Sequence, residues 1–225
     1  MAMKTWQGMA VAGLLLAVGG AQAALVPYTV NGVDLVYDAQ PGTSSTQGLT
    51  WTANANLAAT ETFDVTGINA NGTMSWDKAL EWIAAMNAAN YAGANDWRLW
   101  SALNSDGTGP CDGFNCDDSE LGHLFYVEGG LSANDAINDS TALTSVFTNM
   151  QDFAYWSGTE FSASDAWYFF TDFGGQTNDF KGIQYYGWAV RPGQIAAAPL
   201  PGTALLMALG FGAIAVSRRT RRRSW

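Results

Sequence analysis

The feature that most constrains the fold is an aromatic-rich stretch at residues 155–193. It contains two apolar runs of strand-like composition, at 166–173 and 184–191, separated by a glycine pair and the polar segment 176–182. Three of the chain's ten tryptophans lie in it, and indole rings bury a large area while needing a partner for the N–H group. We therefore predict that the two runs pair as a β-hairpin at the centre of a single domain.

Further strands are predicted upstream. Residues 28–37 alternate apolar and polar side chains around Asn31-Gly32, a dipeptide that supplies the positive φ angles of a type I′ turn. A hairpin is expected there, followed by a short third strand at 48–51.

The clearest helix is predicted at residues 75–90, with Ser75 as its cap, Asp77 in its first turn and Gly93 as its stop. Its apolar residues recur at helical spacing and predict one buried face: Trp76, Ala79, Leu80, Ile83 and Met86. A second, shorter helix is predicted at 119–127, capped by Ser119, with one apolar face formed by Leu121, Leu124 and Phe125.

The N-terminus has the three parts of a secretory signal peptide: a basic start at Lys4, an apolar run at 9–18 and the small-x-small site Ala21-Gln22-Ala23. We expect residues 1–23 to direct export through the Sec machinery, with cleavage after Ala23. The alternative is a buried N-terminal helix.

The C-terminus combines Pro199-Leu200-Pro201, an apolar run at 202–217 and an arginine cluster. These sixteen residues span roughly 24 Å as a helix, which is short for a hydrocarbon core of about 30 Å. The cluster consists of Arg218, Arg219, Arg221, Arg222 and Arg223. Arginines favour the cytoplasmic side of a membrane, so the apolar run is predicted to hold the chain in the inner membrane with the rest of the protein outside the cytoplasm.

Residues 24–196 are expected to form one domain. All 20 acidic residues lie in it against four basic ones, which leaves a formal charge of −16. This charge argues against nucleic acid and anionic membranes as partners. It leaves carboxylates for Ca²⁺, although a solvated acidic surface without a ligand is the alternative.

The cysteines Cys111 and Cys116 are the only two in the chain and lie in a polar loop. In an exported protein such a close pair predicts a disulfide, and the spacing does not fit a zinc site. The same loop holds four candidate ligands for Ca²⁺, although their spacing is not that of an EF-hand: Asp106, Asp112, Asp117 and Asp118. No other cofactor is expected.

Arg98 stands beside Trp97 and is interpreted as a structural hub that donates to carbonyl groups or a carboxylate, with a ligand contact as the alternative. It belongs to a set of residues expected to form the structural core: Trp76, Trp82, Trp97, Arg98, Trp156, Trp167, Trp188 and Arg191.

Seven segments occur in an order that resembles the Lcl C-terminal domain family, with coverage of residues 48–194: MSWDKALEW (74–82), NDWRL (95–99), SELGHLF (119–125), FTN (147–149), YWSGTE (155–160), AWYF (166–169) and WAVRPG (188–193). The family usually has proline after Trp-Arg-Leu, where this chain has Trp100. The resemblance implies a C-type-lectin-like α+β domain with a hairpin-built antiparallel sheet, two short helices and loops that carry any ligand site.

The family's namesake is a collagen-like adhesin whose domain binds sulfated polysaccharides, and this chain lacks the collagen-like repeat. A sulfated ligand would need a local basic patch on a domain of charge −16. The resemblance transfers no ligand-binding residue, so these stay unknown.

The tail resembles the PEP-CTERM sorting signal, although the usual Glu is replaced in Pro199-Leu200-Pro201. The resemblance implies cleavage by an exosortase-type protease and release to the cell surface or matrix. A permanent membrane anchor is the alternative.

Together these features predict an exported, non-catalytic protein of the surface or biofilm matrix that binds carbohydrate or an envelope polymer. A structural envelope protein without a ligand is the alternative. Enzyme activity is not expected, because the chain has neither a nucleophile elbow nor a zincin motif. Its one histidine, His123, and the acids Glu160 and Asp172 are the residues considered for such chemistry.

Overall fold

The computed structural model describes residues 25–39 and 48–196. The predictions for residues 1–23, for Pro199-Leu200-Pro201 and for the apolar run 202–217 lie outside these residues. Over the described ranges, no helix combines the length and apolarity needed to cross a membrane.

The fold is α+β, with two mostly antiparallel sheets and few short helices, as the sequence predicted at this level. The described residues form ten strands: β1 (Val26–Val30), β2 (Val33–Asp38), β3 (Leu49–Thr52), β4 (Arg98–Leu99), β5 (Gly113–Phe114), β6 (Ala154–Glu160), β7 (Asp165–Phe170), β8 (Gly175–Phe180), β9 (Tyr186–Gly187) and β10 (Ala189–Pro192). The α-helices are α1 (Trp76–Ala88), α2 (Glu120–His123) and α3 (Thr141–Thr144). A π-helical turn at Leu124–Glu128 continues α2, and single 3₁₀ turns lie at Leu57–Ala59, Tyr91–Gly93 and Ile137–Asp139.

The first sheet has the order β1-β2-β3-β10-β4, and its pairs are antiparallel. The predicted β1–β2 hairpin is confirmed, with Val30 opposite Val33 and Asn31 and Gly32 at φ angles of 52° and 81°. Both angles are positive, as a type I′ turn requires. The third strand predicted near residue 50 is β3.

The second sheet has the order β5-β8-β7-β6-β9 and corrects the central prediction. The runs 166–173 and 184–191 do not pair with each other. Instead β7 pairs with β8, and Phe170 lies opposite Gly175. Residues 184–191 divide between β9, which runs parallel to β6, and β10 in the other sheet.

The segment predicted as a polar connection is thus the strand β8. Its buried amide explains why polar residues can form an inner strand: Nε2 of Gln176 donates to the carbonyl groups of Ala102, at 3.2 Å, and Cys111, at 2.8 Å. A buried polar group is tolerated when such hydrogen bonds are made. Gly174 adopts a φ of 79° in the turn before β8.

Helix α1 confirms the predicted periodicity with two corrections. Leu80 is 37% exposed, whereas Trp82, which was expected in the structural core but not assigned to the apolar face, is fully buried. The side chain of Ser75 makes no capping hydrogen bond, and the first helical N–H, that of Trp76, donates instead to the carbonyl of Lys181. The chain turns at Asn90, which has a φ of 52°, before Gly93 is reached.

The core consists of two clusters of buried side chains, one against α1 around Trp82 and Trp156, the other around Trp51 and Trp188. Most of the indole N–H groups donate to main-chain carbonyls, as buried tryptophans usually do. The acceptors are Ser157 for Trp76, Glu61 for Trp82, Tyr91 for Trp97, Met74 for Trp156 and Thr52 for Trp188.

Candidate functional site

An open groove of about 750 Å³ lies between α1, β4 with the loop that follows it, and the outer half of β6. We call it the Arg98 groove. Its walls are partly apolar, since Leu80 and Leu103 line it and are 37% and 36% exposed. Polar groups line the remainder: Arg98, Asn104, Ser105, Glu120 and Thr159.

Two hydrogen bonds hold the loop against β6. The N–H of Gly158 donates to the carbonyl of Trp100 at 2.8 Å, and the N–H of Ala102 donates to Oγ1 of Thr159 at 3.0 Å. The first half of β6 is paired with β7 and β9, and these two bonds tie the loop to the outer half of the same strand.

The groove is dominated by a bidentate ion pair. Nη1 of Arg98 lies 2.7 Å from Oε2 of Glu120, and Nη2 lies 2.6 Å from Oε1. The Glu120 side chain is 3% exposed and also accepts the N–H of Ser101 at 2.7 Å, while the Arg98 side chain is 40% exposed. The guanidinium therefore faces the groove with its charge already compensated.

The predicted cap of the second helix places Glu120. Oγ of Ser119 accepts the N–H of Gly122 at 3.2 Å, so α2 begins at Glu120, whose carboxylate points back to Arg98. Arg98 accordingly binds a carboxylate, and it also lines the groove.

Each of the four Lys and Arg side chains of the described residues is ion-paired. Besides Arg98, Arg191 binds Asp96 at 2.6 Å, Lys78 binds Glu81 at 2.5 Å, and Lys181 binds Glu160 while lying over the ring of Trp76. Hydrogen bonds from Arg191 hold the pKa of Asp96 below its usual range. Residues 25–39 and 48–196 thus contain no basic patch of the kind that a sulfated polymer would need.

The predicted disulfide between Cys111 and Cys116 is confirmed, with an S–S distance of 2.03 Å. In the described part of the chain, no three His, Cys, Asp or Glu side chains gather as a metal site would require, so the proposed Ca²⁺ ligands are not brought together. The carboxylate of Asp106 instead accepts hydrogen bonds from the hydroxyl and N–H of Thr108, which lower its pKa.

The other residues considered for chemistry are also apart. Glu160 pairs with Lys181 beyond one end of β7, and Asp172 follows the other end, where burial raises its pKa. Nε2 of His123 lies 3.7 Å from Oε1 of Glu128. Burial, and secondly the charge of Asp38, raise the pKa of Glu128 to about 7.

The groove itself was not predicted. Its lining comes from four separated segments, and Leu80 was assigned to the buried face of α1. A signal was available in the helix pattern, because Leu80 and Trp82 are about 200° apart around the helix and cannot lie on the same face.

No protein-family model matches this sequence, and no curated protein is significantly similar to it.

Proposed function

We propose that the chain is an exported, non-catalytic protein of the cell surface or biofilm matrix, and that it binds carbohydrate in the Arg98 groove. The observation that carries this proposal is the compensated Arg98–Glu120 pair beside an open apolar wall. A saccharide has both apolar C–H faces and hydroxyl groups, and binding sites commonly combine apolar walls with a few fixed polar groups.

The charge balance favours a ligand without acidic groups. Because Glu120 already neutralises Arg98, the groove offers hydrogen bonds but no free positive charge. A sulfated or uronic polymer would approach a domain of net charge −16 and be repelled. We therefore depart from the sulfated ligand that the Lcl resemblance implies.

For the fold we propose the C-type-lectin-like arrangement of the Lcl C-terminal domain family. It is supported by the α+β composition, by the confirmed loop disulfide and by the long loops that separate α1 from β6. For the tail we propose a PEP-CTERM-type signal, inner-membrane insertion and processing by an exosortase-type protease after Sec export. This part is supported by the sequence of residues 1–23 and 199–223.

The test is a glycan array probed with the protein recovered from an exporting host after expression of the full coding sequence, with and without Ca²⁺. We expect binding to neutral or basic glycans, and weakening of at least about tenfold in Leu103→Asp, which adds charge to a wall that is already solvent-accessible. Ile183→Asp, at a comparably exposed position outside the groove, is the matched control. Failure to bind any glycan, or equal losses in both variants, would refute the proposal.

A further inference from the structure

A row of phenylalanine rings lies exposed along the second sheet. Ring centroids are 6.0 Å apart between Phe114 and Phe173, 4.5 Å between Phe173 and Phe170, and 6.2 Å between Phe170 and Phe153. Phe114 is 49% exposed and Phe153 is 43% exposed, and the two inner rings are half-buried. We call these four residues the aromatic strip.

Backbone pairing and the disulfide hold the strip in place. Phe114 lies opposite Gly175 in the β5–β8 pair, and Cys111–Cys116 closes the short loop that carries it. A Cβ on Gly175 would come within 2.8 Å of the ring of Phe173, so the glycine lets this ring lie flat on the strand. The rings are thus held in a row before any partner arrives, which reduces the ordering cost of binding.

Acidic residues adjoin strip residues in the chain, and one more is linked to the rings through Tyr185. Asp172 precedes Phe173, Asp152 precedes Phe153, and Asp112 lies two residues before Phe114. The hydroxyl of Tyr185, whose ring contacts both Phe153 and Phe170, donates to Oδ2 of Asp179 at 2.8 Å.

Three of these carboxylates act on Tyr168, whose ring contacts Phe170 at 4.8 Å. Burial and then the charge of Asp179 raise the pKa of Tyr168 to about 12; a hydrogen bond with Tyr185 opposes them, and Asp112 and Asp172 add smaller effects. The charge of Asp152 adds to the effect of burial on the pKa of Asp172. The basic side chains of the described residues are all paired with carboxylates other than these four.

We propose that the aromatic strip binds a polysaccharide that carries free amino groups, with sugar C–H faces on the phenyl rings and ammonium groups on the adjoining carboxylates. The site goes beyond the Arg98 groove and rests on the proposed function only in that the ligand is a carbohydrate. An ammonium group near a phenyl ring is further stabilised by the ring's negative face.

Charge complementarity selects this occupant over others. A second copy of this chain or a sulfated polymer would bring more negative charge to the strip. An apolar peptide or a lipid would desolvate ionised carboxylates without supplying a counter-charge, which is costly. A basic peptide would also supply positive charge, but it has no sugar C–H face to stack on the rings. It is therefore included in the test.

The experiment measures binding of the same recovered protein to glucosamine hexamer, N-acetylglucosamine hexamer and oligolysine at about pH 6, where ordinary carboxylates are ionised. We expect the amino sugar to bind at least about tenfold more tightly than its acetylated form, with affinity falling as salt is raised. Phe114→Ser and Asp112→Asn are each expected to weaken binding several-fold. The matched controls Phe161→Ser and Asp77→Asn alter an exposed ring and a carboxylate off the strip and are expected to leave it unchanged.

Equal binding of both hexamers with loss in Phe114→Ser would overturn the requirement for amino groups while sparing the proposed carbohydrate function. Oligolysine bound as tightly as the amino sugar would overturn the assignment to a polysaccharide. If glycan binding on the array is weakened by Leu103→Asp but by neither Phe114→Ser nor Asp112→Asn, the binding site proposed on the aromatic strip is refuted and the Arg98 groove is not. Absence of all glycan binding would overturn both proposals.

Discussion

The hydroxyl of Tyr126 donates a hydrogen bond to the carbonyl oxygen of Gly174, and it accepts the N–H of Asn115 at 3.0 Å. One oxygen atom therefore joins the π turn after α2, the turn between β7 and β8, and the disulfide loop. These are the segments that position the inner and outer rings of the aromatic strip.

Removing this hydroxyl should loosen the disulfide loop. In Tyr126→Phe both hydrogen bonds are lost, and we expect a decrease of about 1–2 kcal/mol in the free energy of unfolding, with faster hydrogen exchange at the Asn115 amide. The control is Tyr91→Phe, because the Tyr91 hydroxyl has no hydrogen bond with the described residues. Unchanged exchange at Asn115 would show that the disulfide alone holds the loop.

Breaking the ion pair of the Arg98 groove should destabilise the fold. Glu120→Gln leaves a guanidinium without a counter-charge and removes a buried carboxylate that also binds Ser101. We expect a loss of about 2 kcal/mol in urea unfolding, below the range for fully buried pairs because Arg98 is 40% exposed. Glu81→Gln, which breaks the exposed pair with Lys78, should cost under about 0.5 kcal/mol. Similar losses in the two variants would contradict the assigned role of Glu120.

Stability should fall between about pH 5 and pH 7 because of Glu128. Its pKa of about 7 in the folded protein lies above the ordinary value of 4.5, so the folded state retains a proton that the unfolded chain has released. The associated stability is complete below pH 4.5 and is lost as the pH rises through 7. Its size is on the order of 1–2 kcal/mol, below what the full shift of the pKa implies, because the Glu128 side chain is partly accessible to solvent.

The measurement is thermal or urea unfolding as a function of pH in the native protein and in Glu128→Gln. The neutral amide should flatten the profile over this window. At lower pH, protonation of Asp96, whose pKa is lowered by Arg191, should reduce stability in both proteins. A profile that keeps its slope in Glu128→Gln would assign the effect to another group.

Two buried tryptophans allow a hydrogen bond to be separated from packing. The Trp188 indole donates to the carbonyl of Thr52 at 3.0 Å, whereas within residues 25–39 and 48–196 the indole N–H of Trp100 has no acceptor. Both rings are fully buried. We expect Trp188→Phe to lower the free energy of unfolding by about 1 kcal/mol more than Trp100→Phe. Equal losses would mean that packing alone sets the cost at both positions.

The elements that could be predicted from the sequence are those specified by neighbouring residues. The Asn31-Gly32 dipeptide specifies a turn, and the spacing of apolar residues indicates α1. Ser119 caps the helix that follows it, and the two cysteines are close enough in the chain to pair. In each case the decisive interaction spans few residues, so composition and spacing are sufficient evidence.

The elements that were missed depend on distant partners. Strand β8 is polar and carries no strand signal, and it is stabilised by β7, by β5 and by the bonds from Gln176 to a loop about 70 residues earlier. The division of residues 184–191 between two sheets likewise depends on pairings that no local pattern encodes. The groove and the aromatic strip could not be predicted for the same reason, because each consists of segments that are distant in the sequence and adjacent only in the complete fold.

The position of β10 has a mechanical consequence. This strand ends at Pro192, shortly before residue 196, and it lies inside the first sheet with β3 on one side and β4 on the other. Tension applied at the C-terminal end of the domain would therefore act first on the pairs of Pro192 and Arg191 with β3 and then, from Val190, on the pairs with both neighbours. Removing β10 would break two ladders, whereas removing an edge strand would break one.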